Sequence, residues 1–276
     1  MSETQTVTAT EFATSKDGTK IAFERAGRGP LLVLVDGALC SRAFGPSPEL
    51  AGALKEDFTV VSYDRRGRGE SGDTAPYAAE REFDDLAAVI TAAGGDAFVM
   101  GQSSGAGIAY RAAAAGVPMR RLIGYEAPWV GLNKNKDGSP KDYLGTLEGY
   151  LAKGERGKAV GFFMVDMVGG PFFLPLMMRM MGKVWRQLQA VAHTLPYDTR
   201  VMGGDFEPPI DELKSIDIPT LVLVGGKAAK KMAAAQQKIA ATIPNAEMGV
   251  LDGQTHQVAP AALKPEFIRF FTQESS

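Results

Sequence analysis

Several things are scarce in this chain, and each scarcity excludes something. Of its 276 residues one is cysteine, Cys40, so no intrachain disulfide can form, which fits a reducing compartment. There are two histidines, His193 and His256, and any histidine-dependent chemistry must use one of them. No run approaches ~18 uninterrupted apolar residues. The most apolar stretch, residues 168–178, is interrupted by two glycines and two prolines and ends at Arg179. Neither sign of charge dominates: 30 Lys+Arg against 32 Asp+Glu give a net charge of −2, so a polyanion-binding surface is not expected. The first residues, MSETQTVTATEF, have no basic region and no apolar run, and so do not read as a secretory signal. These absences point to a cytoplasmic protein that binds neither nucleic acid nor membrane.

What is present is an ordinary globular composition, 45% apolar and 22% charged. It is long enough for one large domain, or one domain with a substantial insertion, and for a core that needs no metal or disulfide. Residues 7–15 and 20–26 read as an antiparallel pair around the Lys16-Asp17-Gly18 turn. Residues 31–35 form a continuous apolar run between Gly29-Pro30 and Asp36-Gly37, as a strand buried on both faces should. Residues 58–63, 97–101 and 122–125 have the same character. Phe83, Leu86, Ala87 and Ile90 fall on one face of an intervening helix.

The alternation resumes with a strand at 220–224, a helical stripe through Met232, Ala235, Ile239 and Ile243, and a last strand at 247–251. Leu263, Phe267, Phe270 and Phe271 then line a C-terminal helix. Eight strands alternating with helices predict an α/β fold: a mostly parallel, doubly wound eight-stranded sheet with helices on both faces. The stretch 128–215 breaks the rhythm, being helical, glycine-interrupted and home to seven of the twelve methionines. It is expected to be a helical cap, inserted into a core made of residues 1–127 and 216–276.

Gly101-Gln102-Ser103-Ser104-Gly105 follows a predicted strand and opens a helix of small residues. In that context Gly-x-Ser-x-Gly is a nucleophile elbow, a tight strand-to-helix turn that lifts its central side chain above the sheet. The register is decidable, because Ser103 has glycine two before and two after, whereas Ser104 has Gln102 and Ala106. The plain alternative is a glycine-rich turn with no chemistry.

With that elbow in place, the whole chain resembles the α/β-hydrolase family, in its serine-nucleophile, esterase- and lipase-like form. Residues 63–71, Tyr-Asp-Arg-Arg-Gly-Arg-Gly-Glu-Ser, are similar to the family's Y-D-x-R-G-x-G-x-S loop. Asp64 and Glu70 are expected to offset its arginines. The resemblance implies Ser103 as nucleophile and His256 as its base, since His256 lies in a loop between the last strand and the final helix. His193 has no such position. It also implies an oxyanion hole built from the backbone N–H groups of Ser104 and of Ala38, in the loop Val35-Asp36-Gly37-Ala38. There the family more often has histidine where this chain has Asp36. If Asp36 points away or engages the Arg65-Arg66 loop, ester hydrolysis stands; if it faces the pocket, a different acid/base role opens.

A histidine base needs a carboxylate on its other nitrogen to fix the tautomer. Relatives usually supply it after the strand at 220–224, but the loop here, Gly225-Gly226-Lys227-Ala228-Ala229-Lys230, has none. Glu126, after the strand at 122–125, occupies a position that some members use instead. Asp205, Asp217 and Asp252 are the other candidates, as is a histidine held by water or backbone. Trp129, Phe163, Met167 and Met177, with Asp36, are expected to line the substrate pocket, although cap packing would use the same apolar residues.

Two separated histidines and one cysteine make a poor ligand set, and neither metal nor cofactor is expected. The expected partner is a small lipophilic substrate, with at most a second copy of the chain as a homodimer. The reading is hydrolysis of a carboxylic ester, thioester or lactone through an acyl-enzyme. Acyl transfer or non-hydrolytic acid/base chemistry on the same fold is one rival, and a non-catalytic ligand-binding protein is another.

Overall fold

A computed structural model describes residues 9–272; the first residues of the strand expected at 7–15 lie outside them. Eight strands form one sheet: β1 (Glu11–Thr14), β2 (Lys20–Gly27), β3 (Leu31–Val35), β4 (Thr59–Tyr63), β5 (Ala97–Gln102), β6 (Leu122–Tyr125), β7 (Thr220–Gly225) and β8 (Ala246–Leu251). Their spatial order is β1-β2-β4-β3-β5-β6-β7-β8. β1–β2 and β2–β4 pair antiparallel, and all other pairs are parallel. Eleven α-helices connect them among the described residues: α1 (Ser47–Leu54), α2 (Ala79–Ala93), α3 (Ser104–Ala114), α4 (Tyr143–Ala152), α5 (Arg156–Phe162), α6 (Leu174–Met180), α7 (Gly182–Ala190), α8 (Leu195–Met202), α9 (Ile210–Lys214), α10 (Lys230–Thr242) and α11 (Pro260–Thr272).

The period-2 geometry of the central strands explains both faces of the sheet. Val33, Val35, Val61, Val99, Leu122 and Val222 point into one core, with Phe83, Leu86 and Ile90 of α2 and the small residues of α3. Their sequence neighbours Leu32, Leu34, Val60, Phe98, Met100, Ile123, Leu221 and Leu223 point into the other, packed by α1 and α11. Strands buried on both faces must be apolar at every position, which is why these runs carry no alternation. In the second core Phe271 stacks on Phe98 at 4.6 Å and meets Phe58 edge-on at 6.1 Å.

Between β6 and β7 lie α4 to α9, with a π-helical turn at Phe163–Met167 and a 3-10 turn at Ala192–Thr194. Part of this segment packs on itself, around Leu147, Val160, Trp185, Leu188 and Leu195, and reaches Leu39 after β3. Its most apolar stretch faces outward: Phe172, Phe173, Leu176, Met177, Met180 and Met181 are all exposed. Among the described residues no helix is long and apolar enough to cross a membrane.

Phe271→Ala should remove the ring shared by Phe58 and Phe98 and leave a cavity, destabilising the fold by about 3–5 kcal/mol. Urea unfolding measures it, and a loss below about 1 kcal/mol would show that the aromatic cluster collapses around the gap.

Candidate active site

The turn from β5 to α3 is sterically dictated. An added Cβ at Gly105 would sit 2.1 Å from the Val35 carbonyl oxygen, and one at Gly101 would sit 2.4 Å from the Gly105 oxygen. Only glycine permits helix and strand to approach this closely. Ser103 between them has φ 56° and ψ −130°, a conformation that L-residues avoid and that costs of order 1–3 kcal/mol. Its N–H donates to the Tyr125 carbonyl at 2.9 Å. The strained turn delivers Ser103 to a cavity of about 350 Å³ at the carboxyl ends of the strands, the usual place for ligands in such sheets.

His256 lines the same cavity. Its Nδ1 lies 2.7 Å from Glu126 Oε2, which leaves Nε2 as the nitrogen to serve a nucleophile. Glu126 is buried, follows β6 with φ 48°, and uses its second oxygen, Oε1, to accept the Gly225 N–H at 2.9 Å. The loop after β7, which lacks a carboxylate, therefore holds one instead. The histidine loop is pinned from below: Tyr125 Oη donates to the Thr255 carbonyl at 2.5 Å, and Gln102 Nε2 donates to the His256 carbonyl at 3.1 Å. Gly225 allows this closeness, since a Cβ there would meet the Gln254 oxygen at 2.6 Å.

Ala38 and Ser104 also line the cavity. The loop after β3 presses against the elbow so tightly that a Cβ on Gly37 would come within 2.9 Å of Ser103 Cβ. Behind it lies a buried charge network that the sequence did not reveal. Arg65 pairs with Glu82 of α2 and Asp198 of α8, both at 2.6 Å. Arg66 pairs with Asp85 at 2.7 Å and Asp17 at 3.1 Å, and Arg68 with Asp198 at 2.7 Å. Asp64 and Glu70, expected to offset these arginines, instead bind Arg42. The available signal was Glu82 and Asp85 standing beside the apolar stripe of α2; Asp198 had none.

Asp198 lines the cavity, and its Oδ1 accepts from Ser104 Oγ at 2.6 Å. Burial alone would push its carboxyl up, but the Arg65 and Arg68 charges outweigh that and hold it below its ordinary value. Asp36 is different. It is fully buried beside the Ser47 hydroxyl, and desolvation pushes its carboxyl up to about 7 because Ser47, Arg68 and Arg65 offset burial only in part.

Of the five residues expected in the pocket, Phe163 and Met167 are in its wall. Trp129 is not: it is buried against Tyr110, and its Nε1 donates to the Met202 carbonyl at 3.0 Å. Met177 is on the exposed face of α6. Asp36 is behind the loop rather than on the cavity, and its backbone carbonyl accepts from Arg65 Nη1 at 3.3 Å. Val130, Asn133, Thr199, Phe206 and Met232 complete much of the wall, together with Lys227 and Ala228.

Residues 31–268 match the alpha/beta hydrolase family, and the chain belongs to it. It is similar to a non-heme haloperoxidase of Rhodococcus erythropolis, 27% identical over 89% of this chain and 92% of that one. A bifunctional esterase/perhydrolase of Acinetobacter calcoaceticus is 30% identical over 78% of this chain and 80% of that one. Among solved structures, an alpha/beta hydrolase from Sphaerobacter thermophilus superposes with a TM-score of 0.86 at 50% identity, covering 95% of this chain and all of that one.

A carboxyl that titrates at about 7 when folded, against 3.8 in the open chain, gives stability that is complete below the lower value and lost as pH rises through the upper one. Asp36→Asn removes that dependence. Between pH 4 and 8 the wild-type Tm should therefore fall relative to the variant's, and a Tm difference constant across that range would show that Asp36 ionises normally.

Proposed function

We propose that the protein is a serine hydrolase that cleaves small lipophilic carboxylic esters, thioesters or lactones through an acyl-enzyme. The observation that carries this reading is the 2.7 Å contact between Glu126 and His256 on the cavity that the strained Ser103 also lines. A serine hydroxyl is a weak nucleophile until an adjacent base takes its proton. With Nδ1–H donated to Glu126, His256 Nε2 accepts the Ser103 proton as Oγ bonds to the substrate carbonyl carbon. The tetrahedral oxyanion is received by the Ala38 and Ser104 N–H groups, donors that need no reorganisation during the reaction. Collapse expels the leaving group, which takes the proton from His256. Water then adds to the acyl-enzyme, giving its proton to His256, and the acid departs as Ser103 regains its hydrogen.

The wall supports an apolar substrate: Phe163, Met167, Val168, Met202, Phe206 and Met232 line the cavity that Ser103 and His256 share. Water is one acceptor for such an intermediate. The relative named as both esterase and perhydrolase supports a second reading, in which hydrogen peroxide discharges the same acyl-enzyme to a peracid. Both routes share every residue named above and differ in the acceptor alone.

A fluorophosphonate probe should label Ser103 and no other residue, by peptide mapping, and labelling should vanish in Ser103→Ala. Hydrolysis of a short-chain aryl ester should fall by roughly 10²–10⁴-fold in His256→Ala and in Glu126→Gln, with folding retained. Label on another serine would overturn the nucleophile, and unchanged kcat in Glu126→Gln would remove that carboxylate from the relay.

A further inference from the structure

The steric demand at Gly37 has a second side. The position must be glycine, because a Cβ would strike Ser103, yet glycine is also the residue whose flanking peptides turn over at least cost. The Gly37–Ala38 peptide carries the Ala38 N–H, and in a planar trans peptide C=O and N–H point in opposite directions. Whatever holds the Gly37 carbonyl therefore aims the Ala38 N–H. The structure supplies such a holder: Arg68 Nη1 donates to the Gly37 oxygen at 2.6 Å. The same nitrogen reaches the Cys40 carbonyl at 3.3 Å, on the far side of Leu39, which has φ 61°.

Arg68 is itself held. Its Nη2 donates to Asp198 Oδ2 at 2.7 Å and its Nε to Thr194 Oγ1 at 3.0 Å. Asp198 is its one carboxylate partner among the described residues. The other Asp198 oxygen accepts from the Ser104 hydroxyl and from Arg65 Nη1, both at 2.6 Å, and that Arg65 nitrogen also donates to the Asp36 carbonyl at 3.3 Å. One carboxylate from α8 thus touches Ser104, which carries one N–H of the hole, and the arginine that fixes the peptide carrying the other.

We propose that Asp198 is a positioning residue for the oxyanion hole: through Arg68 it locks the Gly37–Ala38 peptide with the Ala38 N–H turned toward the reacting carbonyl. This rests on the acyl-enzyme reading above and goes beyond it, since Asp198 touches neither Ser103 Oγ nor His256. Without the carboxylate, Arg68 loses the anchor of its fork and the glycine peptide is able to turn over. The N–H would then point away and a carbonyl would face the developing negative charge.

The test uses Asp198→Asn, with active sites counted by fluorophosphonate end-point labelling and kinetics expressed per labelled site. The expected result is a fall in kcat of about 10–100-fold, short of the loss of a whole hole because Ser104 N–H remains. KM should stay within about twofold, and inhibition by an alkyl trifluoromethyl ketone, whose adduct carries an oxyanion, should weaken by the same factor as kcat. A purely structural role would lower Tm and the labelled fraction and leave kcat per labelled site at the wild-type value, which would overturn the proposal. If Asp198→Asn does not fold, Arg68→Lys keeps a buried positive charge beside Asp198 but removes the fork that joins that carboxylate to the Gly37 carbonyl. It should lower kcat per site several-fold with the same matched loss of ketone inhibition, and wild-type values would again overturn the proposal. A wild-type protein that neither takes the label nor cleaves aryl esters would overturn the acyl-enzyme reading itself; normal wild-type activity with an unaffected variant would overturn the role of Asp198 alone.

Discussion

The arrangement turns on three guanidinium groups, those of Arg65, Arg66 and Arg68, none of which reaches solvent to any extent. A buried charge left unpaired costs several kcal/mol, far more than a matched pair gains. Every carboxylate that answers them must therefore be brought to one place. Glu82 and Asp85 fix α2 against the loop after β4, Asp17 ties in the β1–β2 turn, and Asp198 draws α8 over the sheet. Arg65 and Arg68 also hold backbone carbonyls of the loop after β3. Sheet, flanking helix and inter-strand helical segment meet at this node, and the cavity opens beside it.

Strain gathers close by. Gln102 and Tyr125 are register partners on β5 and β6, and the next residue on each strand has positive φ: Ser103 at 56° and Glu126 at 48°. Two neighbouring strands thus end in conformations their residues would not choose. Tight packing at Gly101 and Gly105 enforces the first, while the bonds of Glu126 to Gly225 and His256 hold the second. The candidate nucleophile and the candidate acid are aimed by backbone as much as by side chain.

Much of this could be read from the amino acids, because its causes are local. Continuous apolar runs gave the strands of the doubly buried sheet to within a residue or two at most ends. The Gly-x-Ser-x-Gly spacing marks Ser103, and scarcity points to His256. Glu126 came as a candidate from the family resemblance, because the 225–230 loop holds no acid and some members seat a carboxylate after the strand at 122–125; Asp205, Asp217 and Asp252 stayed open beside it. What stayed hidden depends on distant pairing. The acidic partners of the arginines lie in three separate segments, and the nearest acidic residues, Asp64 and Glu70, proved to belong to Arg42. Trp129 and Met177 went astray for a related reason: apolarity says that a side chain seeks cover or tolerates exposure, not which surface it meets. One became core and the other solvent-facing.

On the proposed mechanism, an acid seated just after β6 also divides labour along the chain. The backbone of the 225–230 turn gives the Gly225 N–H to Glu126 and ties itself to the histidine loop through Gly226 N–H to the Leu251 carbonyl and Lys227 N–H to the Gln254 carbonyl, both at 2.8 Å, while the side chains of Lys227 and Ala228 stand in the cavity wall, committed to no ion pair or side-chain hydrogen bond among the described residues. In many machines the part that grips the workpiece is bolted to the part that drives the stroke, so neither can be redesigned alone. Here the two are separate fittings: the side chains at 227 and 228 can be exchanged for a new ligand while the backbone that aligns Glu126 and His256 stays in place.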